Sequence, residues 1–177
     1  EGDAVATFAS AAYLERLNNP TPWTSRSMNL FDGMNRTLAE VRGSAGAGIG
    51  GVMLTVQLSP AAGRADELAS WLTGGALAEL AARPGLAAAH LLVADRDVSG
   101  VQTEEKRLRG APDAVADWVL LVEGYDEAAV EQTAAGLSGD GGLIAHGAAP
   151  GSMQGLYRLD YLIDEAVAKA IWRPPEG

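Results

Sequence analysis

Two histidines, His90 and His146, are the only side chains in this 177-residue chain whose ordinary pKa lies near neutrality. Proton-transfer chemistry at physiological pH would therefore start from one of them. His90 sits in the apolar run Leu86 to Ala94, flanked at two-residue spacing by Ala88 and Leu92. Strand alternation puts those three on one face and Ala89, Leu91 and Val93 on the other. The second set is bulkier and uniformly apolar, so it should pack on helices. The first should look into a cavity, where small Ala88 leaves room beside an imidazole acting as general acid or base. The competing reading is a core or interface histidine satisfied by one hydrogen bond. His146 falls in a glycine-rich loop and is expected to be exposed. Neither histidine has a second one at metal-ligand spacing, and no carboxylates cluster around either, so no metal site is expected.

A second candidate is the mixed-charge segment Thr103 to Arg109, inside a polar loop of about 18 residues, Asp95 to Pro112. Folded over a cavity mouth, Arg107 or Arg109 could hold an anionic group bidentately; the bland alternative is a solvated turn with weak ion pairs. Trp118, Tyr157 and Tyr161 fall on strand-like segments, where aromatics either line a cavity or pack between sheets. Gly46 to Gly51 contains G-x-G-x-x-G, but a dinucleotide site needs those glycines to open a helix. A strand pattern follows instead, so this is a linker. Without a G-x-S-x-G elbow, serine-hydrolase chemistry has no sequence support.

The elements that must position these residues read as follows. Phe8 to Leu17 is a short amphipathic helix stopped at Asn18-Asn19-Pro20. Thr21 caps a second helix with Pro22 at its first position, and Trp23, Ser27, Leu30, Phe31 and Met34 form its expected buried stripe. Thr37 to Arg42 alternates as a strand, and Gly43 to Gly51 is a connector. Then come strand Val52 to Leu58, helix Ala65 to Arg83 with a break at Gly74-Gly75, and strand Leu86 to Ala94. Strand Asp117 to Glu123, helix Glu127 to Leu137, a candidate short strand at Leu143 to Ala145, and strand Gln154 to Ile163 follow. Asp164 caps a terminal helix ended by Pro174-Pro175. Residues 51–163 thus spell βαββαβ, a complete α+β module with an antiparallel sheet and helices on one face. Residues 1–50 read as the helix–strand end of another such module plus linker, and 164–177 as a helix and tail.

Composition narrows the function classes. A net charge of −10 and a pI near 4.5 repel nucleic acid. The absence of cysteine removes disulfide and thiolate chemistry and fits a reducing, cytoplasmic setting. No apolar run approaches the ~18 residues of a membrane span. No leader pattern opens the chain, and the missing initiator Met suggests a processed or truncated sequence.

The complete module resembles the ferredoxin-like units of the dimeric α+β barrel superfamily. Ser10 to Thr24, Gln102 to Arg109 and Asp117-Trp118 are similar to tandem, EthD-like bacterial proteins, with the first half of the first module missing. The resemblance implies a small-molecule-binding barrel closed by a second sheet, hence a homo-oligomer. Its chemistry would be of EthD, monooxygenase or cyclase type on a small organic substrate, with His90, Arg107, Arg109, Trp118 and Tyr157 as acting residues. It implies no particular cofactor; haem occurs in the superfamily, but no residue here is marked as its axial ligand. The alternative is a non-catalytic binding or accessory protein that works through oligomerisation.

Overall fold

A computed structural model describes residues 10–28, 30, 37–95 and 116–163. Its elements are α1 (Ala11–Asn18), α2 (Pro22–Met28), β1 (Ala39–Gly46), β2 (Val52–Leu58), a kinked helix α3, β3 (Leu86–Ala94), β4 (Trp118–Gly124), α4 (Glu127–Ser138) and β5 (Met153–Arg158). Helix α3 runs as Ala65–Trp71, a π turn Leu72–Ala76, and Leu77–Ala81. Its break falls at Gly75, whose backbone leaves the helical region, as the glycine pair predicts.

The five strands form one open antiparallel sheet in the order β1-β3-β4-β2-β5. This arrangement is compatible with a ferredoxin-like unit. Helices α3 and α4 cover one face. Val52, Leu54, Val56 and Leu58 of β2, Ala89 and Leu91 of β3, and Leu120 and Val122 of β4 point into that layer, against Leu68, Leu72, Leu77 and Leu80 of α3 and Val130 and Leu137 of α4. The alternation read along β2 and β3 therefore assigns the faces correctly. Asp126 caps α4 by accepting hydrogen bonds from the Ala128 and Ala129 amides. Beside this cap Gly124 has no room for a side chain, since a Cβ there would lie 2.5 Å from Val130 Cγ2.

Four expectations need correction. The described part of the expected α2 stripe is not buried: Trp23 is 70% and Leu30 85% exposed, and Met28 is the covered residue, while Phe31 and Met34 lie outside the described residues. An apolar stripe is covered only where another element lies along it, and neither α1 nor α2 packs along another described element. The first strand does not stop at Arg42; it continues through Gly43 to Gly46, because this segment pairs with β3 from Leu91 to Ala88. Glycine disfavours strands, but here Gly46 adopts φ 88° with a Cβ position only 2.2 Å from the Ala87 carbonyl, a site other residues cannot occupy. Leu143 to Ala145 is a series of turns, and the nearby bridge joins Pro60 to Ala148. The last strand ends at Arg158 rather than Ile163, since β2, its only described ladder partner, ends its pairing at Val52. The expected helix after Asp164 and the loop beyond Asp95 lie outside the described residues, apart from Ala116.

Candidate functional site

The sheet face opposite the helices carries the polar chemistry. Ala88, His90 and Leu92 of β3 stand there beside Val119, Leu121 and Glu123 of β4, with Met53, Thr55 and Gln57 of β2 beyond. His90 thus faces away from the helices, as its spacing predicts. Its cross-strand neighbour on β1 is Ser44, and the two side chains meet at 2.8 Å between Oγ and Nδ1. The other ring nitrogen, Nε2, lies 3.8 Å from Glu123 Oε1. The second oxygen of Glu123 accepts a 3.0 Å hydrogen bond from the Gly50 amide. Ser44, His90, Glu123 and Gly50 therefore form a row across three parts of the chain.

The order of these groups sets the protonation pattern. A carboxylate facing Nε2 favours the tautomer with hydrogen on Nε2. Nδ1 then carries the lone pair, and the Ser44 hydroxyl donates to it. Glu123 is itself fixed by the backbone amide, so its carboxylate stays near Nε2 while Ser44 holds Nδ1. Such a row can accept a proton at Nδ1 while the carboxylate stabilises the imidazolium that forms. His90 is about one-quarter exposed and Glu123 less, so a small molecule resting on this face could reach the ring.

Sequence reasoning missed both partners of His90. A carboxylate does stand beside this ring, contrary to expectation. Glu123 carried a readable signal, being the only charge in the apolar run Trp118 to Gly124, two residues from Leu121 on the same face. Ser44 did not. The β1 register shifts between Val41 and Gly43, so a bulge at Arg42 puts both Val41 and Ser44 on the open face. Simple alternation assigns them to opposite sides.

The other candidates separate. Trp118 points to the helix side, opposite to His90, and lines a cleft of about 340 Å³ with Glu40, Arg42, Asp66, Thr73 and Leu91. Its parity along β4 is that of Leu120 and Val122, so it cannot share a cavity with His90. Tyr157 does stand on the open face but on β5, three strands from β3, roughly 14 Å at the usual strand spacing. Tyr161 follows β5 and is exposed. Arg107 and Arg109 lie outside the described residues.

His146 is half-buried rather than free in its loop. Its ring stacks on Trp71 with centroids 3.9 Å apart and planes within 5°. Beside it, the Arg64 guanidinium donates two hydrogen bonds to Glu67, at 2.7 and 2.6 Å, and another to the Ala145 carbonyl. That clamp ties the start of α3 to the 143–148 turns. It holds the Glu67 carboxyl below the usual carboxylate range, mainly through the Arg64 hydrogen bonds. This second cluster is structural in character. Among the described residues no group of three or more His, Cys, Asp and Glu could hold a metal ion, and no helix is long and apolar enough to cross a membrane.

No known family model matches this chain, and no curated protein matches it.

Proposed function

We propose that this chain is a small-molecule-binding protein of the dimeric α+β barrel kind, in which His90 moves a proton on a small organic ligand bound against the open sheet face. The observation that carries the reading is the Ser44–His90–Glu123 row, anchored by the Gly50 amide. An imidazole held between a hydroxyl and a carboxylate suits general-base work on an acidic C–H or O–H, the step that an EthD, monooxygenase or cyclase type of reaction needs. The run β3-β4-β2-β5 supports the ferredoxin-like part, since a βαββαβ chain places its first and third strands centrally and its second and fourth at the edges. On this reading β1 is the surviving strand of a neighbouring unit, and the open face is completed by a second sheet from another copy. Arg107 and Arg109 would supply an anion contact at its rim.

Haem forms no part of the proposal.

Native mass spectrometry of the purified protein should reveal a co-purified organic molecule of a few hundred daltons. His90→Ala and Glu123→Gln should then abolish its turnover. A bound ligand that is never turned over would favour the non-catalytic accessory reading, which the otherwise neutral open face around the row also suits. Purified protein that captures no small molecule would overturn both.

A further inference from the structure

The free edge of β5 is the least protected part of the described chain. On its inner side it pairs with β2, and on its outer side no described strand follows. Open edges are usually blunted with proline, charged side chains or a bulge. Between Met153 and Ile163 there is no proline or lysine, and the two charges present, Arg158 and Asp160, are of opposite sign. This stretch instead exposes large apolar side chains: Tyr157 is 59%, Leu159 48%, Tyr161 70% and Leu162 55% accessible.

The sequence of that edge reads nearly the same in both directions. About Leu159, the residues Leu156-Tyr157-Arg158 are mirrored by Asp160-Tyr161-Leu162, with one substitution of sign, arginine against aspartate. An antiparallel pair of two such segments centred on Leu159 sets Leu156 opposite Leu162, Tyr157 opposite Tyr161 and Arg158 opposite Asp160. Each pair is one that stabilises neighbouring strands: aliphatic with aliphatic, aromatic with aromatic, opposite charges together. Within its own chain the Arg158 guanidinium also donates to both oxygens of Glu127 on α4, at 2.8 and 2.6 Å, so in the dimer Asp160 shares an arginine that Glu127 already holds. A two-fold interface is self-complementary by symmetry, and this segment meets that requirement residue by residue.

The backbone agrees with this register. The Leu159 amide bonds inward to the Gly51 carbonyl, and Arg158 is the Cα partner of Val52. The peptide groups of Leu159 are thus used within the chain, while those of Leu156, Arg158 and, by alternation, Asp160 are directed outward. A two-fold axis at Leu159 needs this arrangement. Leu159 meets its own copy as a non-hydrogen-bonded pair, and Arg158 and Asp160 exchange backbone hydrogen bonds across the axis. Within β5 Tyr157 falls on the open face and Leu156 and Arg158 on the helix side; the paired dimer would extend this alternation through Leu162.

We infer that Leu156 to Leu162 is a dimerisation strand that pairs with the same segment of a second copy, joining two five-stranded sheets edge to edge. The inference does not rest on the small-molecule reading, because His90 lies three strands from this edge. It also differs from covering the open face, which would leave the β5 edge free.

The chain has no cysteine, so single-cysteine variants are clean probes. Across a non-hydrogen-bonded pair Cα atoms lie about 4.5 Å apart, within disulfide reach. Leu159→Cys should therefore form a disulfide dimer under mild oxidation, whereas Glu79→Cys, exposed on α3, should stay monomeric under denaturing electrophoresis. Light scattering of the unmodified chain at ~0.1 mM should give twice its 18.3 kDa mass, or four times that mass where a further copy also covers the open face. Asp160→Arg sets arginine against arginine and should halve the mass. Arg158→Asp sets like acids together and should do the same, with circular dichroism showing that both remain folded. Mixed, the two variants satisfy both charge pairs and should form a heterodimer. A monomer at ~0.1 mM, a mass that Asp160→Arg leaves unchanged, or the absence of a disulfide through Leu159→Cys would overturn the inference.

Discussion

At the scale of single residues, His90 is the position where function and stability should come apart. Its side chain lies on the open face and retains about a quarter of its accessible surface, so truncation leaves no closed cavity. His90→Ala should lower unfolding free energy in urea by about 1 kcal/mol or less, against the ~2–5 kcal/mol typical of emptying a core site. A loss in the core range would show that the ring is a packing element and would remove the argument for its chemistry. Glu67 offers a contrasting test. Arg64 holds its carboxyl below the ordinary range, so the folded state favours the ionised form. A depressed carboxylate contributes stability that is present above its unfolded pKa and fades as pH falls through the folded value. Glu67→Gln should thus be less stable than the parent at pH 7, and the two should converge in the acid range below about pH 4. The pair is exposed, so the difference should be small and should shrink further in high salt. A gap that does not narrow at all on acidification would assign the effect to something other than the carboxylate charge.

At the scale of elements, much of the secondary structure was legible because its causes are local. Leu86 to Ala94 was bounded by Pro84-Gly85, and the kink of α3 by its glycine pair. The face of each central strand followed from which parity carried the larger apolar side chains. What stayed hidden was decided by partners distant in sequence. Gly43 to Gly46 looks like linker until β3 is beside it, and the bulge at Arg42 that turns Ser44 toward His90 leaves no local mark. Trp118 does not share a face with His90, because its parity with Leu120 puts it under the helices. Gly124 makes the same point about packing. A methyl added there would meet Val130 Cγ2 at 2.5 Å and the Gly85 carbonyl at 2.7 Å, so Gly124→Ala must push α4 away from the sheet. Overpacking of this kind costs about 1–3 kcal/mol. Thermal denaturation should show a drop of several degrees, and Gly136→Ala, with open space around it on α4, should be neutral or slightly stabilising.

At the scale of the whole molecule, the strand order sets where the structure opens first. β4 lies between β3 and β2, so its amides and carbonyls are used on both sides, and Leu120 and Val122 are fully buried. Opening it breaks two ladders and exposes the core, which amounts to unfolding the sheet. Hydrogen exchange at Leu120, Leu121 and Val122 should therefore proceed only through global unfolding, with a free energy equal to that from denaturant titration. α1 buries no residue and packs along no other described element, so its amides should exchange by local fraying, orders of magnitude faster. The β5 edge should behave in a third way. The outward amides of Leu156 and Arg158 face no described strand of their own chain, and fast exchange is their expectation at low micromolar protein. In an edge-paired dimer the Arg158 amide donates to Asp160 of the second copy and becomes protected, so its rate should fall as concentration rises while that of Leu121 stays constant. Concentration-independent exchange at Arg158 would leave the two-fold strand pairing without support. Exchange at Leu121 as fast as in α1 would contradict the assignment of β4 as the centre of the sheet.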